Sequence, residues 1–394
     1  MIHTAPIEGS QAGLSGFARH SGAVGVRNNL VILNLTGLSE MAARRASAAV
    51  PRSVLVSFPY GMGLVGEDLA AATRLLSGIA MHPNAGAVVL VSADRTRLEE
   101  ISAKLEREGR AFEGICIDDV AHDSGALSAR IVRAGARLAQ AASTLHRTPF
   151  SLGDLCFAVE CGLSDPTSGI AANRLIGEFS DRVISAGGTV IMGETLEWLG
   201  VEKVLADRAA SPEVASAILT AVARREAMAQ RAGVDLLGVN PNRRNIEEGL
   251  TTIEEKASGA IAKSGNAEIQ GMLAHGEAPA GPGLWLMDQP SYSPESLTGF
   301  ASAGAQIALF STGSGNSYAS ALMPTIKITA NAQTAKRLDT QVDFDCSELM
   351  AGGDIDKVTD RLLTHVAAVA SGMLTFGEIM GEGSEAFSRF GATL

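Results

Sequence analysis

The sequence predicts an α/β protein: Rossmann-like, doubly wound, mostly parallel sheets with helices on both faces, in two lobes. Three observations predict it. Short apolar runs rich in β-branched residues alternate with longer segments of helical period along most of the chain. Glycine is abundant, 43 of 394 residues, and aromatics are only 4%, which suits tight strand-to-helix turns and Ala/Val/Ile/Leu packing. With 46% hydrophobic and 19% charged residues, the chain can bury a core large enough for two domains.

Residues 1–22, rich in Gly, Ser and Ala without periodicity, are expected to form an N-terminal arm. A first α/β domain, a candidate for oligomerisation, then covers 23–148. Its strands are read in Val26 to Leu35, Ser53 to Phe58, Ala87 to Val91 and Phe112 to Ile117, with helices over 40–50, 67–80, 95–108 and 123–145 between and after them. Thr148-Pro149 breaks the pattern, and a second α/β domain, 149–394, carries most of the site motifs. There the strands are 155–160, 188–192, Leu284 to Met287, Ile307 to Phe310 and Ile326 to Thr329. Helices are read from Ser168, over 195–206, 212–231 and 250–261, and from Ile355 to Ala370.

Several function classes drop out. A net charge of −11, with no basic block, gives no surface for nucleic acid. Met1 to His20 lacks the apolar region of a signal peptide, and no stretch approaches the roughly 18 apolar residues of a membrane span. The four cysteines form no Cys-x-x-Cys pair, which predicts a reducing, cytoplasmic location. Neither NAD nor ATP is expected. In Gly313-Ser-Gly315-Asn-Ser-Tyr318, Tyr318 stands where a dinucleotide fingerprint needs a small residue, and no P-loop occurs.

Four strands of the second half end in polar, glycine-containing turns: Cys161 to Ser168, Gly193-Glu194-Thr195, Asp288-Gln289-Pro290, and Ser311 to Asn316. Any one of them reads as an ordinary turn. In a parallel sheet, however, all four lie along one edge and can meet at a single crevice. Cys161 offers a soft metal ligand and Asp165, Glu194 and Asp288 hard ones, a mixture compatible with Fe(II) or Mn(II). Cys156, five residues before Cys161, points to the opposite face of the strand, and packing is the ordinary use of Cys116 and Cys156. Lys256 and Lys263 are seven apart on one helix, with Thr252 a turn earlier on the same face. They can aim two cations and a hydroxyl at an anion, or form a solvated face. Gly259 between them marks close approach of another segment. His82, in Met81-His-Pro-Asn84, reads first as structural.

Cys161-Gly-Leu-Ser-Asp-Pro-Thr-Ser-Gly169, Gly193-Glu-Thr195, Gly249-Leu-Thr-Thr-Ile-Glu-Glu-Lys256, Met287-Asp288, Thr312-Gly-Ser-Gly-Asn316 and Pro324-Thr-Ile-Lys327 resemble, in order, motifs of the galactarate/altronate dehydratase family. That family also contains the large subunit of sulfolactate sulfo-lyase. Gly25-Val-Arg-Asn28 and His82-Pro-Asn84 resemble its N-terminal motifs. The resemblance implies a lyase that removes hydroxide or sulfite from the β position of a small anionic 2-hydroxy acid, such as a sugar acid or sulfolactate, with help from a divalent metal, iron in the dehydratases. Such chemistry needs a base for the proton next to the carboxylate, and cations or a metal to hold the enediolate.

On this reading Cys161, Asp165 and Glu194 are the metal set. The catalytic set is Lys256, Lys263, Asp288 and Lys327, with Lys256 as the base. Arg27, Asn28, Ser164, Ser168, Thr252, Thr312, Gly313 and Asn316 are the substrate-binding set. The resemblance also implies a separate small β-rich subunit as partner, since the dehydratases carry such a domain and this sequence begins close to the Gly16-to-Asn28 segment; Ala- and Leu-rich helix faces predict self-association besides. Arg243-Arg-Asn-Ile-Glu-Glu-Gly-Leu250 departs from the sulfo-lyase pattern by adding Glu247 and Glu248. That departure leaves open a catalytically inactive homologue that binds a small anion or regulates.

Overall fold

A strand such as Asn29–Asn34, apolar at every position between its two asparagines, can satisfy both of its faces only between layers of helices. In the computed structural model, which describes residues 13–391 and 393, it lies there. Four parallel strands, β1 (Asn29–Asn34), β2 (Ser53–Ser57), β3 (Ala85–Ser92) and β4 (Phe112–Cys116), form a sheet in the order β2-β1-β3-β4. The two-residue period sends Val31, Leu33, Val88 and Leu90 to helices Gly66–Met81 and Arg95–Arg107. Leu30, Ile32, Val89 and Val91 face helices Glu40–Ala49 and Ser124–Ala142 instead.

The second sheet has seven parallel strands: β5 (Cys156–Cys161), β6 (Thr189–Met192), β7 (Ile269–Ala274), β8 (Gly283–Asp288), β9 (Ile307–Ser311), β10 (Thr325–Thr329) and β11 (Phe344–Asp345). Their order is β7-β8-β6-β5-β9-β10-β11, so the direction of winding reverses between β5 and β9. Phe157, Val159, Leu309 and Ile326 pack toward helices Asn173–Ser185 and Ile355–Ala370, while Ala158, Ala308 and Phe310 pack on helix Ser293–Ser302.

Three expectations need correction. The N-terminal arm lies partly outside the described residues, but Leu14–Ala18 is a strand, paired antiparallel with Val24–Gly25 and Thr148–Phe150. The helix read over 195–206 is a 3-10 turn, Thr195–Trp198, and a short helix, Glu202–Ala206, separated by Gly200 at a φ of 87°. Strand β7 and helix Ser293–Ser302 are present where no element was read.

The halves are joined by buried hydrogen bonds. Asn84 donates to the carbonyls of Gln306 and Leu322, both at 2.9 Å, and its Oδ1 accepts from the backbone of Val26 at 2.8 Å. His82 Nε2 lies 2.9 Å from the carbonyl of Ala305, while its Nδ1 accepts from the backbone of Asn84 at 3.0 Å. That pattern fits a neutral ring, which burial favours by lowering its pKa from 6.5 to about 4.

Candidate active site

Strand β5 ends at Cys161, and the chain turns through Leu163 into a wide π-type turn, Ser168–Ala172. Asp165 builds this turn. Its Oδ1 accepts from Thr167 Oγ1 at 2.7 Å, from the Ser168 backbone at 3.0 Å and from Ser168 Oγ at 3.2 Å, and its Oδ2 accepts from Asn331 at 2.9 Å. The π turn lets Gly169 come against Gly259, where a Cβ on either would stand 2.9 to 3.0 Å from the other's Cα. This contact accounts for the mid-helix glycine. It seats helix Ile253–Ile261, capped by Thr252 Oγ1 on the backbone of Glu255 at 3.0 Å, so that Lys256 and Lys263 are buried.

At the end of β6 a Cβ on Gly193 would fall 1.9 Å from Gln289 Nε2, so a larger residue there would have to displace the Gln289 side chain. Glu194 follows at φ 67° and ψ 53°, a left-handed conformation costing a non-glycine residue about 1 to 3 kcal/mol. The 3-10 turn then brings Glu197 to the same place. Sequence reasoning missed Glu197; the spacing of three from Glu194 in Gly193-Glu-Thr-Leu-Glu197 was the available signal.

Cys161, Glu194 and Glu197 offer one sulfur and two carboxylate oxygens that all lie within 4.8 Å of one another. Cys161 Sγ is 3.1 Å from Glu197 Oε2 and 3.6 Å from Glu194 Oε1. Lys263 Nζ donates to Cys161 Sγ at 2.8 Å and is ion-paired with Glu194; Lys256 Nζ donates to Glu197 Oε1 at 2.6 Å and to Asn240 Oδ1. Burial pushes the Cys161 thiol up, and the two glutamates add to this. Burial also lifts Glu194 to about 7, aided by Glu197 and opposed by Lys263. For Glu197, burial acts upward too, but Lys256 and Lys263 outweigh it and hold the carboxylate below its usual range. Burial works against the charge of both lysines, and their anionic neighbours reverse it, so both are held charged. With a neutral thiol, two ammonium groups balance two carboxylates once Glu194 is ionised, above about pH 7.

Of the expected residues, Cys161, Glu194, Lys256 and Lys263 come together. Asp165 does not join the metal set, because both its oxygens are taken by the turn and by Asn331. Asp288 is withdrawn into a different network with Arg225 at 2.9 Å, Arg224 and Thr195 Oγ1 at 3.0 Å. A lysine base needs a lowered pKa, and Lys256 is raised by Glu197, which corrects that role. Lys327 is the lysine that burial lowers, to about 7. Its Nζ is bonded to the carbonyl of Tyr318 and lies 3.4 Å from the centroid of the Phe310 ring.

Arg27 and Asn28 are far from a substrate role. All five N–H donors of Arg27 are engaged, two by Glu378 at 2.7 and 2.8 Å and three by the carbonyls of Val26, Val369 and Met373. Asn28 donates to the carbonyl of Ala142 and accepts from Arg19. Ser168 is tied to Asp165, Ser164 accepts on its carbonyl from Asn245 at 2.8 Å, and Thr312 Oγ1 accepts from the backbone of Gly315 at 3.0 Å. Gly313 leaves room for Asp165, whose carboxylate a Cβ would meet at 2.2 Å. Asn316 alone of the substrate set lines the cleft.

That cleft, about 790 Å³, opens beside the cluster and is lined by Cys161, Glu197, Lys256, Asn240, Tyr292 and Asn316 among others. A strap after helix Pro212–Ala232 forms one wall. Asn240 reaches Lys256 and the Leu196 carbonyl, and Asn245 reaches Ser164. Glu247 and Glu248 pair with Arg243 and Arg244 at 2.8 and 3.0 Å, and none of these four lines the cleft. On the other face of β5, Glu160 is fully buried, accepts from Ser296 Oγ at 2.6 Å, and has its second oxygen unpartnered. Burial first, then Glu194, raises its pKa well above the carboxylate range.

Among known proteins, residues 152–393 match the family model for the C-terminal region of D-galactarate/altronate dehydratase, and residues 16–143 match the one for the second domain of D-galactarate dehydratase/altronate hydrolase. The (2R)-sulfolactate sulfo-lyase subunit beta of Chromohalobacter salexigens is 34% identical over 370 residues, 93% of this chain and 94% of that protein. The altronate dehydratase of Escherichia coli is 29% identical across 95% of this chain and 77% of its own length. For the galactarate dehydratase (L-threo-forming) of the same organism, 29% identity covers 61% of this chain and 46% of that one.

Proposed function

The chain belongs to the D-galactarate/altronate dehydratase family and is a lyase, and from that premise we propose a metal-assisted β-elimination from a small anionic 2-hydroxy acid, by dehydration or desulfonation. The observation that carries this reading is the burial of Cys161, Glu194 and Glu197 with two lysines at the mouth of a cleft. One soft and two hard donors fit a divalent ion such as Fe(II), and Cys161, Glu194 and Glu197 would hold it. Bound there, the ion would supply Lewis acidity toward a substrate oxygen and favour the Cys161 thiolate.

The protein's own groups do the rest. The Lys256 ammonium, held charged by Glu197, offers its charge to the substrate carboxylate and to the enediolate that forms when the proton next to it leaves. Asn240 fixes the direction of that ammonium, and the strap limits water. Removal of that proton and departure of hydroxide or sulfite from the neighbouring carbon, released together as water or hydrogen sulfite, leave an enol that relaxes to a 2-oxo acid. Glu247 and Glu248, which motivated an inactive binding protein, are paired away from the cleft.

Further proposals concern the whole protein. The reversal of strand order between β5 and β9, with helices on both faces, supports a Rossmann-like, doubly wound reading, with lobes near 23–148 and 149–394. The name "subunit beta" borne by a relative supports a separate partner subunit, and self-association stands beside it. Four free cysteines support a reducing, cytoplasmic setting; no helix among the described residues is long and apolar enough to cross a membrane. Anaerobic assay with Fe(II) across sugar acids and sulfolactate, with release of a 2-oxo acid as the readout, tests the reaction. A sample that binds Fe(II) and turns over none of them defeats it.

A further inference from the structure

We propose that Glu385, from the C-terminal segment, is a positioning residue of the lyase site: as a carboxylic acid it joins two walls of the cleft that holds Cys161, Glu197 and Lys256. This rests on the lyase reading of that cleft and adds to it a residue from outside. One wall is Pro290 to Pro294, leading into helix Ser293–Ser302, and another is Gly315 to Tyr318. Glu385 reaches the backing of both. Its Oε1 accepts from Ser320 Oγ at 2.6 Å and from the backbone of Ala321 at 3.0 Å, just beyond the second wall. Its Oε2 lies 2.9 Å from Thr298 Oγ1, on the helix that carries the first. Ser384 adds to the link, since its carbonyl accepts from Tyr318 Oη and its N–H donates to the carbonyl of Ala319 at 3.0 Å. Further on, the segment is anchored in the first half of the protein. The Phe387 ring meets Phe58 edge-on at 5.2 Å, and the Phe387 carbonyl accepts from Tyr60 Oη at 3.0 Å.

A count of hydrogens places the proton. Thr298 Oγ1 has one hydrogen and two lone pairs. The carbonyl of Pro294, four residues back at 2.7 Å, can only accept, and the backbone N–H of Ala386, at 2.8 Å, can only donate. With the Thr298 hydrogen on Pro294, the contact to Glu385 Oε2 becomes a hydrogen bond only if Glu385 supplies the hydrogen. A protonated Glu385 therefore satisfies the whole set, whereas an ionised one forces Thr298 to release either Pro294 or Glu385. The surroundings agree with the neutral form. Helix Ser293–Ser302 carries Glu295 as its one ionisable group, the second wall carries Tyr318, and the segment itself carries Glu382 and Arg389. On the remaining side, a crevice of about 860 Å³ between the halves reaches Glu385 and gives its proton access to water. There Arg27 is paired with Glu378 and Arg44 with Glu40, and Arg52 lies on the same crevice. Burial lifts Glu385 to about 7, and its hydrogen bonds to Ser320, Thr298 and Ala321 oppose the rise. The enclosed carboxyl is thus neutral below about pH 7 and ionised above it.

The test uses the full chain with Fe(II) under anaerobic conditions, and whichever sugar acid, or sulfolactate, yields a 2-oxo acid. Glu385→Ala should lower kcat/KM by about tenfold or more, because the two walls lose their common tie. Glu385→Gln can donate to Thr298 and accept from Ser320 and Ala321, so it should recover most of that loss. Since the amide does not ionise, kcat/KM of Glu385→Gln relative to the native chain should rise about threefold or more from about pH 6 to about pH 8, the scale of one hydrogen bond. A flat ratio overturns the role of the proton, and full activity of Glu385→Ala overturns the positioning role. Two readouts need no turnover. The infrared difference between the native chain and Glu385→Gln should show a carboxylic acid carbonyl band at about pH 6 that is gone by about pH 8.5, and its absence at the lower pH overturns the proposal. Deuterium exchange in peptides covering 290–298 and 315–322 should be faster in Glu385→Ala and restored in Glu385→Gln; equal exchange in all three overturns the link between the walls. If both readouts hold while no hydroxy acid is turned over, the lyase reading fails and the link stands.

Discussion

Lys256 and Glu197 form the pair on which the chemistry of single residues can be tested. Removing the ammonium while keeping the stem, Lys256→Met, should lower kcat by about 100-fold or more, the scale on which loss of one charge-stabilising donor acts. Far-ultraviolet circular dichroism should be unchanged; retention of full turnover would mean that the enediolate charge is held elsewhere. Glu197→Gln acts differently, because it leaves Lys256 buried and unpaired, a change that costs about 3 to 5 kcal/mol. Its melting temperature should fall, and bound metal per chain should fall with it. His82 offers a prediction on pH. Its pKa is lowered to about 4, so the folded ring stays neutral where the unfolded one is protonated. Its stabilising contribution is complete above pH 6.5 and is lost as pH falls through 4, roughly 3 kcal/mol in all. Urea titrations between pH 7 and 4 should show this loss, and a variant lacking the ring, His82→Gln, should show a shallower slope.

Among the elements, strands β1, β3, β5 and β9 were legible because nearly every position in them is apolar, and Ile355–Ala370 because its buried residues recur at helical spacing. Helix Ser293–Ser302 was not. It is buried at nine of its ten positions and rich in Ser, Thr, Gly and Pro, so it has neither a polar face nor strong helical propensity to reveal it. In β7, burial alternates over only six residues, and at Gly271, one of the buried positions, there is no apolar side chain to mark the alternation in sequence. For the site, clustering of strand ends was readable, since parallel winding dictates it. Partnership was not readable. Arg27, Asp165 and Asp288 have the right chemistry, and only the fold reveals that Glu378, Asn331 and Arg225 already engage them. The Gly169–Gly259 crossing yields a prediction at this scale. Gly259→Ala must part the helix from the π turn, carrying Lys256 and Lys263 with it, and should reduce turnover about tenfold or more, as small misplacements of catalytic groups do. Unchanged kinetics would show that the contact sets packing alone.

At the scale of the molecule, two sheets with separate cores are bound by side chains that reach across to main-chain carbonyls. Asn84 forms two such bonds, to the carbonyls of Gln306 and Leu322, while its Oδ1 accepts from the backbone N–H groups of Val26 and Arg27 on its own side. Replacing it by alanine strands buried donors and acceptors on both sides, at about 1 to 3 kcal/mol for each unsatisfied group. Asn84→Ala should therefore split a single thermal transition into two, visible by differential scanning calorimetry; one sharp transition would mean that the other contacts suffice. The same joint makes the first sheet a reporter for events it does not touch. If both halves open together, a ligand held in the cleft raises the free energy of that common opening, and amides of β3 should exchange more slowly with deuterium when the distant cleft is filled. Mass-spectrometric exchange on peptides covering residues 85–92 would then measure occupancy some distance from any bound atom, without a label and without turnover.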